Sequence, residues 1–566
     1  MASLKHSGSH RGFRKSRRAF LGAGAAGGAA LLGGAFGLTS LVSSSARATS
    51  HAPVWLERTI PELQALMHSG ALSSRELTRG YLQRIAQFNP LLRAVIETNP
   101  MAEEIAARLD GERRSGHGLR GPLHGIPVLV KDNIATDDLM ETTAGSLALL
   151  HSRVPADAVV IHRLRAAGAI ILGKANLGEW ANFRGFEPPD AYGWSARGGN
   201  TRNPYLLDYT PWGSSSGSAA GVVANLCAAA VGTETDGSII GPANVNFAVG
   251  LKPTLGLVSQ SGIIPISPEA DTAGPLCRTV TDAAVMLGVL QSPWGAVAGR
   301  ALPADYMTFL RRGALQGARI GVDRRYFDDY ATYGNPGDED TLPLVQHALG
   351  AMVALGATLV PTDTGDYLAY TDDDFAALLV EFKASLNQYL AGLSHTRMRT
   401  LADLIAFNTA HCRDELKYYG QELFEMAEAT NGDLTDPTYI AARSRARSLA
   451  RAGIDDALAA DDLDAIVAPH LTNGASAAVG GYPNLALPVG FTAAGKPAGM
   501  LMYSTALQEP ALLAFAYDLE QALNARRQPQ FLGTATDPTN AGLCPAPPGR
   551  DGHGGRPEHR RGRFHH

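Results

Sequence analysis

Charge, cysteine and lysine are all scarce in this sequence. Charged residues make up 18% of the 566 positions against 45% hydrophobic, with 62 Gly and 33 Pro. So little charge excludes a long coiled coil, and so much apolar residue excludes an overall disordered chain; the glycines follow no three-residue period of a collagen. Cys227, Cys277, Cys412 and Cys544 form no CxxC and no Cys/His cluster of zinc-like spacing. A structural metal and a dense disulfide framework are therefore not expected, and the four are read as small buried or incidental residues. Outside the first 48 residues only six lysines occur, Lys131, Lys174, Lys252, Lys383, Lys417 and Lys496, and arginine is the usual cation.

The charge that exists is unevenly placed. Residues 1–48 hold seven Lys/Arg and no acid, and 541–566 hold five Arg against Asp551 and Glu558, so the body 49–540 carries about −15 against −5 for the whole. An acidic body without a basic stripe argues against nucleic acid as a partner. Arg17-Arg18 directly precede a charge-free, Gly/Ala-rich stretch ending at Ala46-Arg47-Ala48. This pattern predicts a twin-arginine signal peptide over 1–48, cleaved after Ala48, an exported protein and the twin-arginine translocation machinery as a partner. A membrane anchor is the rival; so much glycine and alanine gives too little transfer energy per residue to favour it.

One main domain, 49–533, follows. Thr59 with Pro61 and the box Ser73-Ser74-Arg75-Glu76 begin helices, with Leu77, Tyr81, Leu82 and Ile85 on one face, so 59–115 is expected as an outer helical layer. Ile126–Val130 and Ala169–Leu172 read as strands around a helix Ala158–Ala167 closed by Gly168, and Ala318–Val322 and Ala465–Val467 as later strands. The expectation is an α/β fold with a large mixed, mostly parallel central sheet covered by helices on both faces. The charged, helix-rich region of about 323–462 is expected as a cap over the sheet edge. A disordered tail is expected over 534–566, where His553, His559, His565 and His566 are read as solvated rather than metal-binding.

The segment of most unusual composition is Pro211-Trp212-Gly213-Ser214-Ser215-Ser216-Gly217-Ser218, followed by the apolar run Ala219–Val231, read as one helix, and then Gly232-Thr233-Glu234-Thr235-Asp236-Gly237-Ser238. Clustered hydroxyls on glycine-rich turns with free backbone N–H groups suit acyl transfer. Gly213-Ser214-Ser215-Ser216-Gly217 matches G-x-S-x-G literally, yet no strand runs into it, because Pro204 and Pro211 bracket a short polar segment; Ser215 is therefore not read as an elbow nucleophile. A serine needs a base. His411 and His470 sit in no local pattern and read as ordinary core or surface histidines. Arginine cannot lose its proton, whereas a buried lysine can, and Lys131 and Lys174 each follow an apolar strand; spacing alone does not choose between them.

Taken together, Gly125–Asn133, Pro211–Ser218, Gly232–Ser238, Gly250–Thr254, Asp271–Pro275, Gly481-Tyr482-Pro483 and Leu487–Gly490 resemble the amidase signature family over roughly 60–530. Gly178–Arg184, Gly193–Gly199 and the stretch Thr233–Ser238, with Asp236 where many relatives have glycine, resemble its peptide amidase subgroup, hydrolases of C-terminal peptide carboxamides. The resemblance implies a Ser-cis-Ser-Lys triad: Ser238 as nucleophile, Ser214 as bridging serine and Lys131 as base, with the backbone N–H groups of Thr235, Asp236, Gly237 and Ser238 as oxyanion hole. The implied activity is hydrolysis of a small-molecule or peptide amide through an acyl-enzyme, with no cofactor and no metal. An ammonia-transferring subunit acting on charged tRNA and a non-catalytic binding protein on the same scaffold are the alternatives. Trp180, Phe183, Trp194 and Trp212 read as core first and as an apolar pocket lining second. Oligomeric state is not legible.

Overall fold

The structure, a computed structural model, describes residues 52–544 except 117, 293–295, 298, 335, 336 and 471–473. The signal expected over 1–48 and the histidines expected in the tail lie outside the described residues. No helix among the described residues is long and apolar enough to cross a membrane.

Eleven strands form one sheet. In chain order they are β1 (Val95–Thr98), β2 (Pro127–Lys131), β3 (Ile170–Ala175), β4 (Ala229–Glu234), β5 (Val249–Lys252), β6 (Thr272–Cys277), β7 (Arg319–Asp323), β8 (Thr358–Thr362), β9 (Ala465–Pro469), β10 (Asn484–Phe491) and β11 (Pro497–Tyr503). Across the sheet the order is β1-β3-β2-β4-β6-β5-β10-β11-β9-β7-β8. Four neighbouring pairs are parallel, β2 with β3 and β4, and β7 with β8 and β9. The other six are antiparallel. The fold is thus the expected large mixed sheet clothed in helices, but it is mostly antiparallel rather than mostly parallel. The parallel reading rests on 126–172, where it holds locally. Apolar runs do not encode strand direction, and the hairpin β10–β11, which turns at Gly495 with φ +88°, reverses the middle of the sheet.

Local chemistry sets the element ends. Thr59 and Ser73 each close a capping box, with Glu62 and Glu76, at the starts of helices Ile60–His68 and Ser74–Leu92. Leu77, Tyr81 and Ile85 face the core while Leu82 is half-buried. The outer layer expected over 59–115 is interrupted by β1, which adds an edge strand to the sheet. The run Ala219–Val231 also divides: helix Ser216–Val223 ends at Asn225, whose φ of 55° is left-handed, and β4 begins at Ala229. Ala and Val without period cannot distinguish a buried helix from a buried strand.

Within 323–462, β8 closes one edge of the sheet, and helices Thr371–Gly392 and Pro437–Ala460 pack on each other. Helix Thr371–Gly392 contributes Phe375, Leu378, Phe382 and Leu386 to a second apolar cluster with Trp180, Phe183, Ile264 and Ile266. Through that cluster helix Thr371–Gly392 rests on the loops that follow β3 and precede β6, while Ile454 and Ala457 of helix Pro437–Ala460 join the main core.

Two expectations fail at the C-terminal end. Cys412 and Cys544 form a disulfide across 132 residues, whereas Cys227 and Cys277 are buried and free as read. The segment expected to be disordered from 534 is held as far as Cys544: Asp537 pairs with Arg93 and Arg202, Thr539 N–H donates to Asp190, and Ala541 N–H to the Lys417 carbonyl. Pairing of cysteines this distant is a consequence of tertiary proximity and leaves no local pattern.

Candidate active site

Lys131 ends β2, where both faces are covered, so its amine enters the interior. Its Nζ lies 2.6 Å from Ser214 Oγ, 2.9 Å from Thr233 Oγ1 and 3.2 Å from the Thr233 carbonyl oxygen. Burial pushes the amine down from 10.5 to about 7, against the carboxylates of Asp271 and Glu234, which act to raise it. The three neighbours suit a neutral amine. Two N–H bonds can go to the carbonyl and the threonine oxygen, leaving the lone pair for the Ser214 proton.

The Gly213–Ser214 peptide bond is cis, and the Ser214 carbonyl accepts from Gly178 N–H at 3.0 Å. Helix Ser216–Val223 then presses on the backbone: a Cβ at Gly217 would collide with the carbonyl oxygens of Ala94 and Asn176, so only glycine fits. Ser215 Oγ donates to the Thr233 carbonyl at 3.0 Å and accepts from Thr233 N–H at 3.2 Å. That fully engaged hydroxyl holds the serine turn to β4.

Ser238 stands half-buried on the turn after β4, and its carbonyl accepts from Ser215 N–H at 3.2 Å, which places its main chain beside the cis-serine turn. Gly237, with φ +81°, makes this turn. Glu234 organises it from below, accepting from Ile239 and Ile240 N–H at 2.7 and 3.0 Å. Burial raises the Glu234 carboxyl while Lys252 and these N–H groups lower it. The Gly237 N–H faces the same carboxylate, so its place among the expected oxyanion donors is contested by an internal acceptor.

Lys174, the other candidate from spacing, reaches no serine among the described residues. Its Nζ donates to the Ile134 carbonyl at 2.6 Å and to Thr142 Oγ1 at 2.9 Å, and burial pushes it down to about 8. Asp132 instead pins the loop 143–145, accepting from Thr143 Oγ1 at 2.5 Å and Gly145 N–H at 3.0 Å. Of the aromatics, Trp180 and Phe183 are buried in the second apolar cluster, and Trp194 is buried against Tyr418 and Tyr419. Trp212 is half-buried and packs on Tyr192 with ring centroids 5.0 Å apart. His411 is exposed; His470 is buried 3.3 Å from Asp338, with the Tyr209 hydroxyl on the same carboxylate at 2.8 Å. Sequence reasoning missed Thr233 as a lysine partner, for its only sign is a place in the same motif. Among the described residues no group of three or more His, Cys, Asp or Glu has the geometry to hold a metal.

An amine that burial allows to be neutral, one serine hydroxyl on it and a second serine on the adjacent turn are the equipment of an acyl-transfer enzyme. The chain belongs to the amidase family, whose model matches residues 76–479. It is similar to the native peptide amidase of Stenotrophomonas maltophilia, with 47% identity and a TM-score of 0.78 over 84% of this chain and 99% of that one. A probable amidase of Arabidopsis thaliana is 41% identical over 84% of this chain and 92% of its own length. A glutamyl-tRNA(Gln) amidotransferase subunit of Halorhodospira halophila is 33% identical over 83% of this chain and 98% of its own. The protein is an amidase-signature enzyme that hydrolyses amides.

Proposed function

We infer that this enzyme is exported and cleaves C-terminal peptide amides or amino-acid amides, with Ser238 as nucleophile, Ser214 as relay and Lys131 as base. The carrying observation is the contact of 2.6 Å between Ser214 Oγ and a lysine brought to about 7. Ser238 Oγ bonds to the amide carbon as its proton passes to Ser214 and the Ser214 proton passes to Lys131. The N–H groups of Thr235, Asp236 and Ser238, with Gly237 if it leaves Glu234, meet the oxyanion. The proton returns through Ser214 to the nitrogen, the C–N bond breaks, and ammonia leaves. Water then attacks the acyl-enzyme by the same relay and yields the free acid. The likeness to a peptide amidase supports this substrate class.

The Cys412–Cys544 disulfide supports an oxidising compartment, in keeping with the twin arginine at 17–18. The test is ammonia release by the full chain from an amidated dipeptide and a free amino-acid amide, beside Ser238→Ala and Ser214→Ala. Loss of release in both variants is expected. Release that persists in Ser238→Ala removes the assigned nucleophile, and absence of release by the wild-type chain alone turns the reading towards the amidotransferase relative.

A further inference from the structure

The loop that precedes β6 contacts both the cap and the turn of the nucleophile. On one side, Ile264 and Ile266 join the apolar cluster of helix Thr371–Gly392. Arg447 of helix Pro437–Ala460 donates to the Glu269 carboxylate at 2.7 Å and to its carbonyl at 2.6 Å. On the other side, Asp271 uses both carboxylate oxygens. Oδ1 accepts from the Thr235 hydroxyl at 2.6 Å, and Oδ2 accepts from Ile266 and Ser267 N–H at 2.8 and 3.0 Å. The Asp271 N–H donates to the Ser267 carbonyl at 3.0 Å, so the loop is closed on itself. Asp271 and Thr235 also border a small cavity with Asn133 and Thr233, the threonine that holds Lys131 Nζ at 2.9 Å.

We propose that Asp271 is a positioning residue of the hydrolytic reaction: it ties the first expected oxyanion donor, Thr235, to a loop gripped by the cap, and places its negative charge beside Lys131. The inference rests on the Ser238–Ser214–Lys131 reading. Thr235 is the first residue of the donor turn, and the side-chain bond to Asp271 anchors its main chain to the loop.

The charges around the pair are few. Asp271 and Glu234 face Lys131, and Asp271 feels Glu381 of the cap helix. Burial pushes the Asp271 carboxyl up to about 6, opposed by the Thr235 hydroxyl and the two loop N–H groups, so it is charged at neutral pH. Since that charge raises Lys131, removing it lets the amine fall further.

The experiment compares Thr235→Val and Asp271→Asn with wild type and Ser238→Ala in the full chain, on ammonia release across pH, with circular dichroism to verify folding. Thr235→Val removes the tether and keeps the carboxylate, so kcat on the level part of the profile should fall about tenfold or more with KM within about threefold; losing the hydroxyl also raises Asp271, so the limb is read in Asp271→Asn. Asp271→Asn removes both: kcat falls similarly and the acid limb moves to lower pH by about half a unit or more. Unchanged kcat in Thr235→Val overturns the tether even where Asp271→Asn fails to fold, and an unmoved limb in folded Asp271→Asn overturns the charge. Activity in Ser238→Ala would instead overturn the triad reading itself.

Discussion

Lys131 gives the sharpest prediction. Bringing an amine from 10.5 to about 7 corresponds to about 5 kcal/mol against its charged form, which the interior supplies by removing water from Nζ. At pH 7 about half the molecules then hold a neutral base, where an ordinary lysine would offer about one in 3,000. Because the folded amine is depressed, the neutral form is lost as pH falls through about 7. The expected profile of kcat/KM for ammonia release is level above about pH 8, falls tenfold per pH unit below about 6, and reaches about 1% near pH 5. Lys131→Arg keeps a cation but no lone pair, and should lose about a thousandfold or more. A profile level down to pH 5, a limb centred near the ordinary 10.5, or an active Lys131→Arg would refute the base assignment.

Other substitutions separate structure from chemistry. Lys174→Met removes the lysine donor from the Ile134 carbonyl and from the Thr142 hydroxyl, which keeps Thr136 N–H at 3.4 Å, and should cost about 1–3 kcal/mol in urea unfolding, with turnover of the folded fraction within about threefold of wild type. Arg443 bridges Glu381, at 2.7 Å to each oxygen, and Asp374 at 2.6 Å between helices Thr371–Gly392 and Pro437–Ala460; Arg443→Met should destabilise by about 3–5 kcal/mol, and a denaturation midpoint unchanged from wild type would contradict the pairing. Removing the disulfide through Cys412→Ser with Cys544→Ser should lower stability by about 2–5 kcal/mol and make residues 534–544 sensitive to limited proteolysis; equal protease resistance in wild type and variant would oppose this.

The ordering of elements was legible where one signal dominated. The cap at Thr59 with Pro61 and the box at Ser73 announce helix starts because side chain and backbone bond within four residues. Strands such as Pro127–Lys131 and Ala465–Pro469 show as apolar runs bounded by turns. The scarcity of lysine, set against abundant arginine, narrowed the base to Lys131 or Lys174, because of lysine and arginine only lysine can be neutral. Strand direction, the strand β1, and the break inside Ala219–Val231 were not legible, since each depends on which distant segment lies alongside.

By itself the sequence determined the chemistry on offer: hydroxyls and glycines in two turns, an amine at a strand end, an acidic body behind a basic N-terminal segment. Tertiary structure decided which of those groups meet. Lys131 and Lys174 lie at the ends of adjacent parallel strands, yet only the first reaches Ser214, because β4 brings Thr233 and the serine turn to its side of the sheet while Lys174 meets Ile134 and Thr142. The same holds for Cys412 with Cys544 and for Asp271 with Thr235, pairs separated by 132 and 36 positions. Local sequence sets propensity within a few residues, whereas contacts at such separations exist only after the chain has buried its apolar surface and closed those loops.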